Sequence, residues 1–162
     1  MAARHVSGGA PEPKHPEPKH PEPKHPESEH LKPGHLELGR TGEDAAWALL
    51  RRKGYALLER NWAKNRYELD LVCEDGDTVV FVEVKTRGAA VRGLPSDALT
   101  ADKRRKLARA AAYYLSEQQF WDRPCRFDLV ALTSEAGSFK AAHYPDAFDL
   151  SDVPGASALW QP

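Results

Sequence analysis

Residues 67–85 read YELDLVCEDGDTVVFVEVK and decide the fold of the chain. Two runs that alternate between apolar and polar residues flank Asp75-Gly76-Asp77, a pattern that predicts a β-hairpin. A two-residue loop at Gly76-Asp77, or a four-residue loop from Asp75 to Thr78, makes the numbers of paired residues sum to 153. That register places Asp70 opposite Glu83. A two-residue loop at Asp75-Gly76 would shift the register by two residues and preserve the faces, whereas a three-residue loop would break the arrangement.

The same register, which also sets Glu68 opposite Lys85, sorts the hairpin into two faces because side chains alternate along a strand. The polar face is predicted to hold Glu68, Asp70, Glu83 and Lys85, and the apolar face Leu69, Leu71, Val80, Val82 and Val84. Carboxylates that oppose each other across two strands repel, and a divalent cation such as Mg²⁺ would compensate. Lys85 could then orient or deprotonate a water for phosphodiester hydrolysis. The alternative is a surface hairpin whose charges are solvated.

Working outward, the pattern predicts a further set of elements around the hairpin. The set is a helix from Thr41, a strand at 55–60, a loop at 61–66 carrying Trp62, a helix at 100–118, and strands at 126–133 and 139–143. With the hairpin, the order is α-β-β-β-α-β-β. This order predicts the α/β class, with a mixed β-sheet flanked by helices.

Basic residues are concentrated just after the hairpin. Residues 85–109 contain eight basic residues against Asp97 and Asp102, a net charge of +6 in a chain whose total is −1. The eight are Lys85, Arg87, Arg92, Lys103, Arg104, Arg105, Lys106 and Arg109. Such a segment favours contact with nucleic-acid phosphates, although an ordinary solvated helix face is the alternative.

The N-terminal part has a different composition. Residues 11–25 repeat PEPKH three times, and residues 1–35 hold 8 of the 13 prolines. With little to bury, residues 1–35 are predicted to be a disordered tail, and residues 36–162 a compact nuclease-like domain. The tail could be a solvated spacer, a weak histidine site for Zn²⁺, Ni²⁺ or Cu²⁺, or an acceptor for a proline-binding partner.

Composition narrows the class of protein further. The chain has 162 residues and 2 cysteines, which argues against a disulfide-stapled secreted protein. Its first ten residues do not look like a signal peptide, and no apolar run is long enough to span a membrane. We expect a cytoplasmic protein that does not insert into membranes.

Five segments together carry a family resemblance: GRTGEDAAWALLRRKGYALLERNW, ELDLV, DGDTVVFVEVKTR, KRRKLARAAAYYL and CRFDLVAL. They closely resemble the YraN family of small bacterial proteins. That family is regarded as having the restriction-endonuclease-like fold, near the Holliday junction resolvases of the PD-(D/E)-x-K superfamily.

The resemblance implies roles for individual residues. Asp70 looks like the metal-binding aspartate, and Glu83 and Lys85 look like the (D/E)-x-K pair. Glu43 is similar to a helix carboxylate that resolvase-like members add, although helix N-terminal charge also explains it. Glu68 matches the glutamate of a G-E-x-D segment, from which the chain departs because Tyr67 replaces the usual glycine.

These implications give a functional expectation. We expect an endonuclease that uses Mg²⁺ or Mn²⁺ and that cuts DNA in preference to RNA. Its expected substrates are branched DNA or processing intermediates. Asp70, Glu83 and Glu43 would hold the metal. The phosphate contacts would come from Arg87, Lys103, Arg104, Arg105, Lys106 and Arg109. A homodimer is expected by analogy with resolvases. The alternatives are a nucleic-acid-binding protein without catalysis, and a scaffold that acts through the tail or exposed tryptophans such as Trp160.

Overall fold

The computed structural model describes residues 27–29, 42–88, 99–135 and 138–160. The helices are α1 (Gly42–Arg52), α2 (Ala101–Gln118) and α3 (Ala156–Leu159), with a 3-10 turn at Leu150–Asp152. The strands are β1 (Glu27–Glu29), β2 (Ala56–Lys64), β3 (Tyr67–Asp75), β4 (Thr78–Gly88), β5 (Cys125–Glu135) and β6 (Ser138–Tyr144). From α1 to β6 the predicted order α-β-β-β-α-β-β is confirmed.

Within these residues the strands form one mixed sheet in the order β1-β6-β5-β4-β3-β2. β4 and β5 run parallel, and each other pair of neighbours is antiparallel. The parallel pair is joined through α2, as a crossover connection requires. β1 is an edge strand on β6 and comes from the segment predicted to be disordered. The rest of that segment, with the PEPKH repeat, and Thr41 lie outside the described residues.

The two long helices cover opposite faces of the sheet. Ala46 and Leu50 of α1 pack on Leu71, Val82 and Val130, and we call this the α1-side core. A separate α2-side core is built by Leu107, Ala111 and Leu115 of α2 against the other face, where the buried aromatics are Trp62, Phe81 and Phe127. Charges are therefore costly on either face unless they are paired or lie at the end of the sheet.

α1 starts in close contact with β4. A Cβ atom added to Gly42 would lie 2.4 Å from Thr86 Oγ1 and 3.1 Å from Leu132 Cδ1, so glycine is what lets the helix start this close to the strand. The next residue is Glu43, which together with Asp44 puts negative charge in the first helical turn, where the helix dipole favours it. The tight start of α1 thus fixes where the Glu43 backbone lies relative to β4.

The predicted loop at 61–66 is wrong. β2 continues through Lys64, with a β-bulge between Leu57 and Glu59, and a tight turn at Asn65 and Arg66 leads into β3. The physical reason is burial of Trp62, which packs edge-to-face on Tyr114 at 5.8 Å between ring centroids. Burial of the Trp62 ring stabilises the strand conformation, although the neighbouring residues in the sequence are polar.

Trp160 does not have the exposed position expected for a docking tryptophan. Its ring is partly buried and lies 5.4 Å from that of Trp121 and 6.1 Å from that of Phe127. The ring extends the α2-side core beyond α3. Cys73, by contrast, is buried in the α1-side core with Leu71.

Candidate metal and nucleic-acid site

The hairpin of β3 and β4 has the predicted register. Its pairs run from Asp75–Thr78 to Leu71–Val82, and the paired numbers sum to 153 at each step. The ladder ends there, one step before Asp70 and Glu83 would pair. The site carboxylates therefore lie where the two strands separate, and a gap between strands is where a ligand can enter.

Two expected features of this region are wrong. Glu68 does not face Lys85, because the ladder between β3 and β4 ends at Leu71–Val82; on its other side Glu68 is opposite Ala63 of β2. Leu69 does not share a face with Leu71, since it packs in the α2-side core while Leu71 packs in the α1-side core. Leu69 instead follows Trp62, its partner on β2, which packs in the same α2-side core.

Where β3 and β4 separate, the Asp70 side chain accepts a hydrogen bond from the backbone of β4. Its Oδ2 accepts the N–H of Val84 at 2.7 Å. Burial raises the pKa of the Asp70 carboxyl, and the charges of Glu43 and Glu68 add to that rise. The hydrogen bond from Val84 and the positive charge of Lys103 act in the opposite direction. Asp70 is thus fixed in place and exposed to the negative charge of two further carboxylates.

Glu83 is more buried than Asp70, with a side chain only 8% exposed. Its Oε1 lies 2.9 Å from Nζ of Lys103 on α2. Its Oε2 is buried and has no hydrogen-bond partner among the described residues. Burial raises the pKa of Glu83, the Asp70 charge raises it further, and Lys103 and Lys85 oppose the rise. A buried carboxylate oxygen without a donor is costly, so this atom needs a cation or a proton.

Lys85 and Glu43 flank the carboxylate pair. Lys85 follows Glu83 by two residues on β4, so it points to the same face, and its side chain is exposed. Glu43 is half-buried in the first turn of α1, and its charge acts on Asp70. The structure therefore brings Asp70, Glu83, Lys85 and Glu43 into one electrostatic neighbourhood, with Glu68 exposed at its edge.

Asp70 and Glu83 fit a divalent cation in two respects. Both are hard oxygen ligands, which Mg²⁺ and Mn²⁺ prefer, and Glu83 Oε2 has a free position. Across the described ranges, no three His, Cys, Asp or Glu side chains are grouped closely enough to hold a metal together. Binding through one or two carboxylates, with water and phosphate oxygens, is the common arrangement for Mg²⁺. Metal binding by Asp70, Glu83 and Glu43 stays a prediction.

The predicted basic residues of α2 divide into two groups. Lys103 faces Glu83, and Lys106 is exposed and forms no ion pair with any residue that the structure describes. Arg109 continues this line, with its guanidinium 5.5 Å from the ring centroid of Tyr113. Spacings of three and four residues put Lys103, Lys106, Arg109 and Tyr113 on one stripe of the helix.

The other basic residues are engaged elsewhere. Arg104 Nε donates to the Leu99 carbonyl at 2.9 Å and its guanidinium lies over Phe148, so it serves the core. Arg105 pairs with Asp102 at 3.2 Å. Arg87 is half-buried on β4, where its charge lowers the pKa of Tyr144 against the larger effect of burial. Arg92 lies outside the described residues.

A second buried cluster was missed by sequence reasoning. Asp128 on β5 is 2% exposed and accepts hydrogen bonds from Arg126 at 2.8 Å and from the Asp146 N–H at 3.0 Å. His143 Nε2 lies 2.9 Å from its other oxygen, and Arg126 also donates to the Tyr55 hydroxyl. This cluster lies on the α1 side, away from Glu83, and ties β5 to β6, to Asp75 at the end of β3 and to Tyr55 just before β2. The signal was a charge inside the apolar run RFDLVAL.

These contacts determine the direction in which the pKa of Asp128 is shifted. Burial alone would raise the pKa of its carboxyl, but hydrogen bonds from His143 and Arg126 hold that pKa below its ordinary value. Asp128 is thus a paired structural carboxylate, in contrast to Asp70 and Glu83, whose pKa values are raised. The contrast separates a stabilising cluster from a candidate site within one sheet.

Comparison with known proteins bears on these positions. The sequence profile described as "Uncharacterised protein family UPF0102" matches residues 42–132, from α1 into β5. The chain belongs to the UPF0102 family. The match includes Glu43, Asp70, Glu83, Lys85 and Lys103, so every element of the site lies in the part shared with the family. This is the YraN family that the sequence motifs resemble.

Individual relatives agree with the profile. A UPF0102 protein of Nitratidesulfovibrio vulgaris strain DP4 is 50% identical over 125 residues, which is 76% of this chain and 93% of the relative. A UPF0102 protein of Lawsonia intracellularis is 42% identical over 127 residues, 78% of this chain and 96% of the relative. One from Ectopseudomonas mendocina is 46% identical over 114 residues, which is 70% of this chain and 95% of the relative.

No helix among the described residues is long and apolar enough to cross a membrane.

Proposed function

We propose that this UPF0102 protein is a Mg²⁺- or Mn²⁺-dependent endonuclease that hydrolyses DNA phosphodiester bonds, with branched and processing-intermediate DNA as its substrates. One observation carries the proposal. The buried Glu83 Oε2 has no partner among the described residues, and it belongs to a carboxylate pair whose pKa values are both raised. Perturbed acidic groups beside exposed lysines are typical of functional sites.

Asp70 and Glu83 are the residues that would hold the cation, and Glu43 is the nearest candidate for a further ligand. A bound Mg²⁺ or Mn²⁺ supplies Lewis acidity, which neutralises phosphate charge and makes water a better nucleophile. Because Val84 already orients Asp70, this carboxylate needs little reorganisation to bind. Glu83 would exchange part of its interaction with Lys103 for the new ligand.

The lysines have distinct roles in this proposal. Lys85 is exposed beside Glu83, where its amino group can orient the attacking water or accept its proton. Lys103 lies 2.9 Å from Glu83 and can turn to negative charge that develops on the phosphate. Lys106 and Arg109, farther along the same stripe of α2, are placed to contact flanking phosphates, and Arg87 lies farther along β4.

The test is cleavage of labelled linear, flapped and four-way DNA by the purified full chain with Mg²⁺ or Mn²⁺. We expect Lys85→Ala to lower the cleavage rate by about 100-fold or more while DNA affinity in EDTA stays within about twofold. Lys140→Ala, which removes a lysine from β6, is the matched control and should cleave normally. Cleavage by the parent chain no faster than by Lys85→Ala refutes the proposal.

One observation favours a second candidate, a nucleic-acid-binding protein without catalysis. Lys103 already neutralises one oxygen of Glu83, as a cation would. In that case Glu83→Gln leaves DNA affinity unchanged, and a Mn²⁺ titration followed by electron paramagnetic resonance shows no binding that depends on Glu83. Binding of Mn²⁺ that is lost in Glu83→Gln speaks for the endonuclease.

Two further expectations belong to this proposal. Cys73 and Cys125 are free thiols, which suits action in a reducing cytoplasm. A homodimer would let two sites act on two strands of one branched substrate, and light scattering of the full chain with and without a four-way junction tests it.

A further inference from the structure

Two tyrosines meet on the surface next to the candidate site. Tyr67 begins β3 and Tyr113 lies on α2, and their ring centroids are 5.6 Å apart with the ring planes tilted by 43°. Both rings are partly buried, and they pack against the α2-side core. Each ring therefore has a fixed inner edge and an outer part that reaches solvent.

Cations surround these rings. Nζ of Lys64 lies 5.4 Å and the guanidinium of Arg109 lies 5.5 Å from the ring centroid of Tyr113. The guanidinium of Arg66 lies 5.4 Å from the ring centroid of Tyr67, and its Nη2 donates to the Tyr67 hydroxyl at 3.3 Å. We call these five residues the aromatic–cation surface.

The surface has a positive balance. Of its three cations, Lys64 pairs with Glu117, a carboxylate that also accepts a hydrogen bond from Trp62. The pKa of the Tyr67 hydroxyl is lowered, mainly by its hydrogen bond from Arg66, as expected in a positive field. Arg66 and Arg109 have no acidic partner in the parts of the chain described here. The positive charge of these two arginines favours an anionic ligand.

The position of the surface links it to the site. Tyr67 precedes Asp70 by three residues of β3, or about 10 Å along the strand. Tyr113 follows Lys103 on the same stripe of α2, about 15 Å along the helix axis. At about 3.4 Å of axial rise per nucleotide, these distances correspond to a few nucleotides along one strand. A strand that reaches Glu83 can therefore reach the tyrosines.

We infer that the aromatic–cation surface binds unpaired nucleotides of the DNA strand whose phosphate is held at Asp70 and Glu83. The inference rests on the proposed function, whose substrate it narrows to DNA with a single-stranded segment next to the cleavage point. Bases stack on aromatic rings when they are not stacked in a duplex. Lysines and arginines bind phosphates of either form, so only the rings discriminate.

The experiment measures binding of the full chain to fluorescent DNA in EDTA, so that cleavage does not interfere. The probes are a 20-nucleotide oligo(dT) and a 20-base-pair duplex. Tyr113→Leu should weaken binding to oligo(dT) about tenfold and to the duplex less than twofold, because stacking on the ring is lost. Tyr113→Phe keeps the ring and should bind as the parent chain does. Equal losses on both probes, or no loss on oligo(dT), overturn the inference.

A second variant changes an exposed residue and leaves the packing of the hydrophobic core intact. Arg66→Gln removes an exposed cation, and it should reduce the slope of log affinity against log salt on oligo(dT) by about 0.7. Arg51→Gln, an exposed arginine at the end of α1, is the matched control and should leave the slope unchanged. Identical slopes in the two variants contradict the inference.

The outcomes also separate the inference from the proposed function. If the chain cuts DNA with Lys85-dependence but Tyr113→Leu binds oligo(dT) normally, the inference alone fails. If oligo(dT) binding depends on Tyr113 but no cleavage depends on Lys85, the endonuclease proposal fails, and the surface serves binding alone. Absence of salt-dependent binding to either probe overturns both.

Discussion

Replacing Lys103 with methionine tests the electrostatics of the site directly. Methionine keeps the apolar stem and removes the charge that lies 2.9 Å from Glu83, whose side chain is 8% exposed. Loss of one partner from a fully buried ion pair costs about 3–5 kcal/mol. Because the Lys103 side chain is 39% exposed, solvent already screens part of the attraction, and we expect a loss of about 2 kcal/mol at pH 8.

The loss should depend on pH in a definite direction. The pKa of Glu83 is already above its ordinary value, and removal of Lys103 raises it further. Between the unfolded-state and folded-state pKa values, the folded chain then binds more protons than the unfolded chain. The free energy of unfolding therefore falls as pH rises through this window, by at most about 1.4 kcal/mol per pH unit for one group. The deficit of Lys103→Met should be largest at alkaline pH and shrink on acidification.

Urea unfolding in EDTA, from pH 5 to pH 8.5, measures this effect. Lys106→Met removes an exposed lysine of the same helix and should change stability by no more than about 0.5 kcal/mol at any pH. Adding Glu83→Gln to Lys103→Met should abolish the extra pH dependence, since no buried carboxyl then remains to titrate. A deficit that is the same at all pH values, or one shared by Lys106→Met, would refute the reasoning.

Three further variants test other parts of the structure. Asp128→Asn should cost about 3 kcal/mol in urea unfolding, because Arg126 and the neighbouring donors lose a buried anion; a loss below about 1 kcal/mol would contradict this. Gly42→Ala places a Cβ 2.4 Å from Thr86 Oγ1 and should cost about 1–3 kcal/mol, part of which Thr86→Ala should restore. Glu83→Gln alone should raise the unfolding midpoint at pH 8, where the charged side chain is disfavoured, and a lower midpoint would count against a raised pKa.

Much of the hairpin was predictable because its determinants are local. Asp75-Gly76-Asp77 specifies a tight turn, and Gly76 has φ of 59°, a conformation that glycine adopts at little cost. The loop length then determines which residues of β3 and β4 pair, and alternation determines the face that each side chain takes. The sequence left two registers open, two residues apart, and both put Asp70 and Glu83 on one face; the structure has the one whose paired numbers sum to 153.

The remaining features depend on contacts that are distant in sequence. Lys103 reaches Glu83 from another element, and nothing in its basic run distinguishes it from Arg104, which turns to the core instead. Trp62 is drawn into a strand by packing on α2, against the local pattern. Asp128 stands in an apolar strand, and only the folded sheet shows that Arg126 and other donors satisfy it.

The parallel pairing of β4 with β5 has a consequence for synthesis of the chain. Val79 to Gly88 pair with Cys125 to Ser134, a separation of 46 residues that α2 must bridge first. Until Ser134 has left the ribosome, β4 is an edge strand whose Val79, Phe81 and Val82 are open to pairing with other chains. We therefore expect nascent chains that stop before β5 to need chaperone protection, even though the hairpin that carries both carboxylates can already form.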